Sequence, residues 1–515
     1  MLSIGLLTGA ILTPFLGFAT LLILRLRKAR LGLQWLAAFL SIAISWGLLL
    51  GLRYFLPVDY PLATWKPEIF FQISPALLAD GFSWPVGFAL ISVGMAVLLT
   101  EASAQGGEFL YSWASSIILL GLGLLAIFAG NQLTLLLAWA AIDLVELAIW
   151  LSRPTQPTLR ERVILAFSSR AFAVMLSLWG LGNPWAYVFS IILRWGVFPF
   201  HLPYLETADL RRGLGTIIRL VPPLTTMPFL ARLADLAYFS SEGWMALFLS
   251  LMAISASVLW INSGDELESR PFWIIGVASF AFSAAQVPRA EAVLAWALVL
   301  ALCGSFLFLI RGRHRFWQVA IGYQTALLLG LPYTPFWNIA RVYRTHWSIA
   351  EIFLIFSHLL IVVGYARLFL QKPKVGVEGE PWSKTLYGLA LGTLIAASLY
   401  IGYSGWEKLL ASALSRPYSS THSWLEFASG VGVGVAGFGF IFLANQKWVP
   451  RLRLSSRWEK LFSFEWVFRF IQWGFRQIGY LYYQIEEVLE GRGGILWAIV
   501  LLLILARVFL FLVGG

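Results

Sequence analysis

Charge is scarce in this sequence. Only 12% of its residues are Asp, Glu, Lys or Arg, about half the usual share in a soluble chain. Cysteine is scarcer still: Cys303 is the only one and lies in an apolar segment, which excludes a disulfide framework and a cysteine metal site. The five histidines are scattered without metal-ligand spacing, so no metal centre is expected. What is abundant is apolar sequence, 59% of 515 residues, with a mean hydropathy of +0.78. That combination predicts an all-α polytopic membrane protein with the lipid bilayer as its solvent. The net charge of +11 would also suit nucleic acid. However, Lys and Arg cluster in short loops between apolar runs, the pattern that membrane orientation produces, so no nucleic-acid partner is expected.

A spanning helix needs about 20 predominantly apolar residues. On that rule about sixteen spans are read, at 2–24, 33–56, 82–100, 109–129, 131–151, 163–181, 184–204, 214–236, 243–262, 269–286, 289–310, 318–340, 347–371, 386–404, 423–444 and 494–513. The first has no basic region ahead of it and is too long for a signal peptide; Arg25, Arg27, Lys28 and Arg30 anchor its end. Basic residues recur in the odd-numbered connections: Arg153, Arg160 and Arg162; Arg211 and Arg212; Arg311, Arg313 and Arg315; Lys372, Lys374 and Lys384. Lys and Arg favour the cytoplasmic side, so both termini are expected outside. Between the last two spans, residues 457–489 form an amphipathic surface helix. Its polar stripe is Glu465, Arg469, Gln472, Arg476, Gln484 and Glu487, with Trp458, Phe462, Trp466, Phe470, Trp473 and Tyr480 off it. Such a helix anchors at the interface or braces a larger assembly, and it is expected on the side of the odd-numbered loops. Three regions follow: 1–107, 108–373 and 374–515.

Ionisable residues inside spans are the exceptions to lipid solvation: Asp143 and Glu146 in the fifth, Arg170 in the sixth, Arg194 in the seventh, Arg219 in the eighth and His358 in the thirteenth. Each charged one costs about 2.5–3.5 kcal/mol at mid-membrane on insertion scales. Asp143 and Glu146 are spaced to share a helix face, and the arginines of the next helices are their natural partners. Three readings stand: ion pairs that fix packing, a polar chain carrying protons or ions, and substrate binding. Arginine holds its proton too tightly to shuttle it. Pro199 breaks the seventh span and Pro332 and Pro335 the twelfth. Spans 4–8 and 9–13 then form two sets of five, each with its broken helix fourth. Sets of odd length are inverted relative to each other, and broken helices at matched positions are a signature of secondary transporters. The glycine run at 430–439 has dinucleotide-fold spacing, but it lies within a span and reads as close helix packing through Gly430 and Gly434.

The stretch "RWGVFPFH", Arg194 to His201, resembles the lysine–x4–Pro–Phe–His motif of the proton-antiporter-like membrane subunits of respiratory complex I, membrane hydrogenases and multisubunit sodium/proton antiporters. "LLADGFSW" (77–84), "AGNQLTLLLAWAAIDLVELAIWL" (129–151) and "GLP" (330–332) resemble further parts of that family. The resemblance covers about residues 70–370, and the span count with a surface helix suits its largest, terminal subunit type. It implies a membrane-arm subunit of a complex I-like NADH:quinone oxidoreductase, with other membrane subunits as partners. It implies no cofactor in this chain, quinone and redox centres lying in those partners, and an energy-coupling membrane such as the bacterial cell membrane. The proton or ion path would run through Asp143, Glu146, Arg170, Arg194, His201, Arg219 and His358.

The departures are equally specific. Ala140 stands where the family's helix-five glutamate falls, with Asp143 one turn on. Arg194 replaces the helix-seven lysine, Arg219 lies near a histidine position, and Gly304 replaces the helix-eleven lysine. The charged position after the twelfth-helix break falls near Ala340 or Arg341. Arg194 then reads as the retained positive end of an ion pair whose partner has moved to Asp143 or Glu146. The second set would have lost its titratable centre, leaving His358 nearest, so any proton path is expected in the first set only. A purely structural subunit and a sodium/proton antiporter subunit remain as alternatives.

Overall fold

The computed structural model describes residues 1–62, 74–102, 109–152, 157–179, 184–197, 212–239, 243–262, 267, 269–310, 315–331, 334, 336–343, 348–370, 381–415, 428, 430–437, 439, 465–490, 499 and 501–503. Lipid leaves no water to satisfy backbone groups, so apolar runs of this length close their own hydrogen bonds as helices. Helix α1 (Leu2–Leu26) pairs with α2 (Leu31–Leu52). Ser45 Oγ donates to the Ala10 carbonyl at 2.7 Å. There follow α3 (Trp84–Ala102), α4 (Phe109–Ile127), α5 (Gln132–Leu151), α6 (Pro157–Trp179), α7 (Pro184–Trp195), α8 (Arg212–Asp235), α9 (Gly243–Asn262) and α10 (Arg270–Gln286). Next come α11 (Ala290–Leu309), which contains a π turn at Val299–Cys303, and α12 (Arg315–Leu328), α13 (Ile349–Leu370), α14 (Pro381–Tyr403) and α15 (Trp406–Ala413). Nine helices among the described residues are long and apolar enough to cross a membrane.

The chain is not purely helical. Strands β1 (Val58–Pro61) and β2 (Ala76–Ala79) pair antiparallel between α2 and α3. This hairpin also ties to the α4–α5 turn, where Leu78 N–H donates to the Phe128 carbonyl and Gly130 N–H to that of Ala76, both at 2.8 Å. Burial separates core from periphery. The apolar windows of α8 and α11 are 94% and 100% buried, against 33% for α1 and α2. Helix α8 keeps its course through Pro222, Pro223 and Pro228. Each proline removes an amide donor; one turn on, the Thr225 and Thr226 hydroxyls donate back to the Pro222 and Pro223 carbonyls at 2.8 and 2.6 Å.

Two helices stop short, and each ends on glycine. Helix α7 ends at Trp195, then Gly196 takes φ +63°. Gly196 N–H donates to the Leu193 carbonyl and Val197 N–H to that of Ile192, a glycine-terminated helix end. Helix α12 ends at Leu328, Gly330 takes φ +57°, and a 3₁₀ turn resumes at Trp337–Val342. The interruption of the seventh span therefore begins at Gly196, ahead of Pro199. Pro199, Pro332 and Pro335 lie outside the described residues. So do most of the expected fifteenth and sixteenth spans, of which 430–437 and 501–503 are helical.

The chain divides into two compact units, Met1–Phe462 and Ser463–Gly515. The second contains α16 (Glu465–Glu490). Residues 457–464 of the expected amphipathic helix are outside the described set. Trp466, Phe470, Trp473 and Tyr480 of α16 are all exposed, with the Phe470 and Trp473 rings stacked at 5.9 Å.

Candidate functional site

Helix α5 has two unlike faces. Asn131 caps its start, its side chain accepting from Thr134 N–H at 3.0 Å. Leu137, Leu144 and Leu151, seven residues apart, are exposed, as suits a lipid-facing stripe. Trp139, Ile142, Asp143, Glu146 and Ile149 are buried. Both carboxylates thus turn inward, where α6 and α7 bring arginines.

Arg194 lies in the last turn of α7, where the helix dipole favours positive charge. Its guanidinium forks onto Asp143, with Nη1 donating to Oδ2 at 2.8 Å and Nη2 to Oδ1 at 3.2 Å. Its central carbon stands 4.4 Å from the Trp139 ring centroid, and Trp139 Nε1 donates to Thr225 Oγ1 at 3.1 Å. Arg170 donates to Glu146 in a short charge-assisted bond and lies 3.8 Å from Asp143 Oδ1. Asp143 is therefore shared between two arginines. All four residues are at most 5% exposed.

Beside them is a cavity of about 40 Å³ lined by Glu146, Arg170, Arg194, Arg219 and Pro222. One water needs about 10–15 Å³, so a few fit against the polar wall. The cluster holds three arginines against two carboxylates. Arginine cannot release its proton, so any movable proton here belongs to Asp143 or Glu146.

His201 lies outside the described residues. His358 is apart from this cluster, on α13, fully buried. Its Nε2 meets the Leu328 carbonyl at 2.7 Å and its Nδ1 the Tyr343 hydroxyl at 2.6 Å. A carbonyl only accepts, so Nε2 carries the hydrogen, and in the neutral ring Tyr343 O–H donates to Nδ1.

Three charged groups escaped the sequence reading. Glu291, at the start of α11, pairs with Arg341 of the 3₁₀ turn at 2.8 Å and lies 3.8 Å from Arg289. Glu101, near the end of α3, accepts from Ser112 Oγ at 2.7 Å and from Leu214 N–H of α8 at 3.2 Å. Gly213 makes room for it, since a Cβ there would stand 2.2 Å from Glu101 Oε1. Asp80 holds Arg232 at 3.0 Å while accepting from the Phe82 and Ser83 amides. All sit at span ends, where a charge is ordinarily cheap. The available signals were "LLADGFSW" for Asp80 and the charged position near Arg341.

No family model matches the sequence, and no curated protein matches it. Solved structures do. A chain of the archaeal membrane-bound sulfane sulfur reductase, a respiratory membrane complex, is 14% identical. The match covers 97% of this chain and 99% of that one, with a TM-score of 0.71. A chain of the Mrp complex from Dietzia sp. also gives 0.71 at 14% identity, over 99% of this chain and 63% of that longer one. A chain of respiratory complex I from Thermus thermophilus gives 0.56 at 17% identity, over 76% and 98%. The chain has the fold of the antiporter-like membrane subunits. It is an integral, multi-pass membrane protein. Within this antiporter-like fold the Asp143–Arg194 pair joins α5 to α7, and Arg170–Glu146 joins α5 to α6.

Proposed function

We propose that the chain is a membrane-arm subunit of a complex I-like quinone oxidoreductase, and that it moves protons through its first five-helix set. The observation that carries this reading is Asp143 shared between Arg194 and Arg170, with a cavity beside the cluster that has one charged wall and room for water. Protonating Glu146 would remove the charge that holds Arg170. Asp143, already 3.8 Å from Arg170, would then take over as its counter-ion. The arginines do not carry the proton; they re-pair as the carboxylates gain and lose it. Arg219 adds positive charge to the cavity wall, and His201 stays a candidate on the sequence alone. Helices α4–α8 and α9–α13 are taken as inverted repeats, an assignment supported by the two glycine-terminated helices fourth in each set. The redox centres and quinone belong to partner subunits. In support, two of the similar structures come from respiratory complexes, one matching nearly the whole of both chains. The second reading, a subunit of a sodium/proton antiporter without redox partners, draws on the equally similar chain of the Mrp complex.

The test uses the native complex purified with its partners and reconstituted in liposomes. Glu146→Gln should reduce proton translocation several-fold while leaving subunit assembly intact, and Asp143→Asn should reduce translocation as well. If the double variant translocates at the wild-type rate, the cluster only packs helices and the subunit is structural. Co-purifying NADH:quinone oxidoreductase activity supports the complex I-like assignment. A preparation with small membrane subunits and no such activity overturns it in favour of an antiporter.

A further inference from the structure

The second five-helix set is layered by α11. From its start the helix carries Glu291, Trp296, then Cys303 and Gly304, so Glu291 and Gly304 stand about 20 Å apart along the axis at about 1.5 Å per residue. The first layer is ionic: Glu291 with Arg341. The second is aromatic around an imidazole. Phe280 and Trp296 stack at 4.4 Å, and the Trp296 ring is 5.3 Å from that of His358.

The third layer is aromatic throughout. A Cβ on Gly304 would lie 2.6 Å from Trp273 Nε1, so the indole occupies the space of a side chain at 304. A Cβ on Gly364 would lie 2.3 Å from the Trp260 ring. Two glycines thus give their room to two tryptophans. Their ring centroids are 5.3 Å apart, and Tyr365 joins at 5.7 Å from Trp273. Tyr365 O–H donates to the Cys303 carbonyl at 3.0 Å, and Cys303 Sγ donates to Gln324 Oε1, also at 3.0 Å. Trp260, Trp273, Cys303 and Tyr365 are at most 3% exposed. Trp273 Nε1 makes no hydrogen bond, as befits a group that fills space rather than relays protons. The Tyr365 hydroxyl and the Cys303 thiol both spend their hydrogens on acceptors already in place, so neither is left to hold a water.

We infer that Trp260, Trp273 and Tyr365 form a dry seal across the second set, cutting the buried Glu291–Arg341–His358 groups off from the end of α11 that follows Gly304. The second set therefore holds titratable groups but no continuous water path. This inference deepens the proposal of a first-set path without depending on it, because its test does not read pumping.

Cys303, the only cysteine of the chain, lies inside the seal and reports on it. The assembled complex in native membranes is treated with a small methanethiosulfonate reagent, and modification of the Cys303 peptide is followed by mass spectrometry. Wild-type Cys303 should stay unmodified, and Trp273→Phe, which keeps an aromatic filler, should protect it equally. Trp273→Ala and Trp260→Ala should expose it, giving modification several-fold faster and a proton leak in liposomes. Wild-type Cys303 reacting as fast as a cysteine placed in an exposed loop would overturn the seal. So would Ala variants that assemble and yet neither expose Cys303 nor leak. If the Ala variants fail to assemble, the wild-type and Phe measurements still decide.

Discussion

Arg194 answers a local problem and creates a global one. Its charge suits the end of α7, its flat guanidinium lies over Trp139, and its fork matches both oxygens of Asp143. Lysine is a point charge on a flexible stem and cannot reproduce that geometry. Breaking a buried pair by removing one partner costs about 3–5 kcal/mol, because the other charge is stranded. Arg194→Ala should therefore lower the melting temperature of the purified complex steeply. Arg194→Lys, which keeps one charge-assisted bond to Asp143, should lie between it and wild type. Equal loss in both variants would mean that shape over Trp139, not charge on Asp143, is what Arg194 supplies. These residues were legible in the sequence because charge inside an apolar run has few explanations. Glu101 and Glu291 were not: each falls within about a turn of a helix end, where hydropathy cannot tell a solvated side chain from one that folds inward.

At the scale of elements, the interruptions were legible but their mechanism was not. The prolines at 199, 332 and 335 announced that two helices break, whereas the residues that end them are Gly196 and Gly330 in left-handed conformation. Hydropathy read 318–340 as one span. The chain instead stops at Leu328 and resumes as a 3₁₀ turn at Trp337–Val342, and that second start presents Arg341 to Glu291. The short strands Val58–Pro61 and Ala76–Ala79 offered no alternation long enough to detect. A side chain at Gly330 would meet Ile339 Cβ at 3.2 Å while holding φ +57°, a conformation costing other L-residues about 1–2 kcal/mol. Gly330→Ala should therefore destabilise the complex measurably. Gly432, helical with open space around its Cβ position, is the control. Gly432→Ala should be neutral or raise stability by up to about 1 kcal/mol. A neutral Gly330→Ala, by thermal denaturation, would mean that this turn is not fixed by its glycine.

At the scale of the molecule, 14–17% identity to similar chains coexists with TM-scores up to 0.71. At that identity few single positions are shared, so the fold rests on pooled properties such as the apolar spans and their order. Orientation follows from another pooled property, the basic residues of the odd-numbered connections. On that sequence pattern Arg313 is expected on the cytoplasmic side and Ser241 on the outside. Helix α16 adds a test of its own: with its aromatic residues on one surface and a charged stripe on another, it should lie in the interface plane. A Cys303→Ser chain carrying one new cysteine, at Arg313, Ser241, Arg476 or Trp473, is treated with a membrane-impermeant maleimide in right-side-out and inverted vesicles. Arg313→Cys should label only in inverted vesicles and Ser241→Cys only in right-side-out ones. Arg476→Cys should label from a single side, which identifies the membrane face on which α16 lies, and Trp473→Cys should be protected from both. Labelling of Arg313→Cys and Ser241→Cys from the same side would require an odd-numbered error in the span count between them. Protection of Arg476→Cys from both sides would mean that another subunit, rather than the headgroup layer, covers the polar stripe.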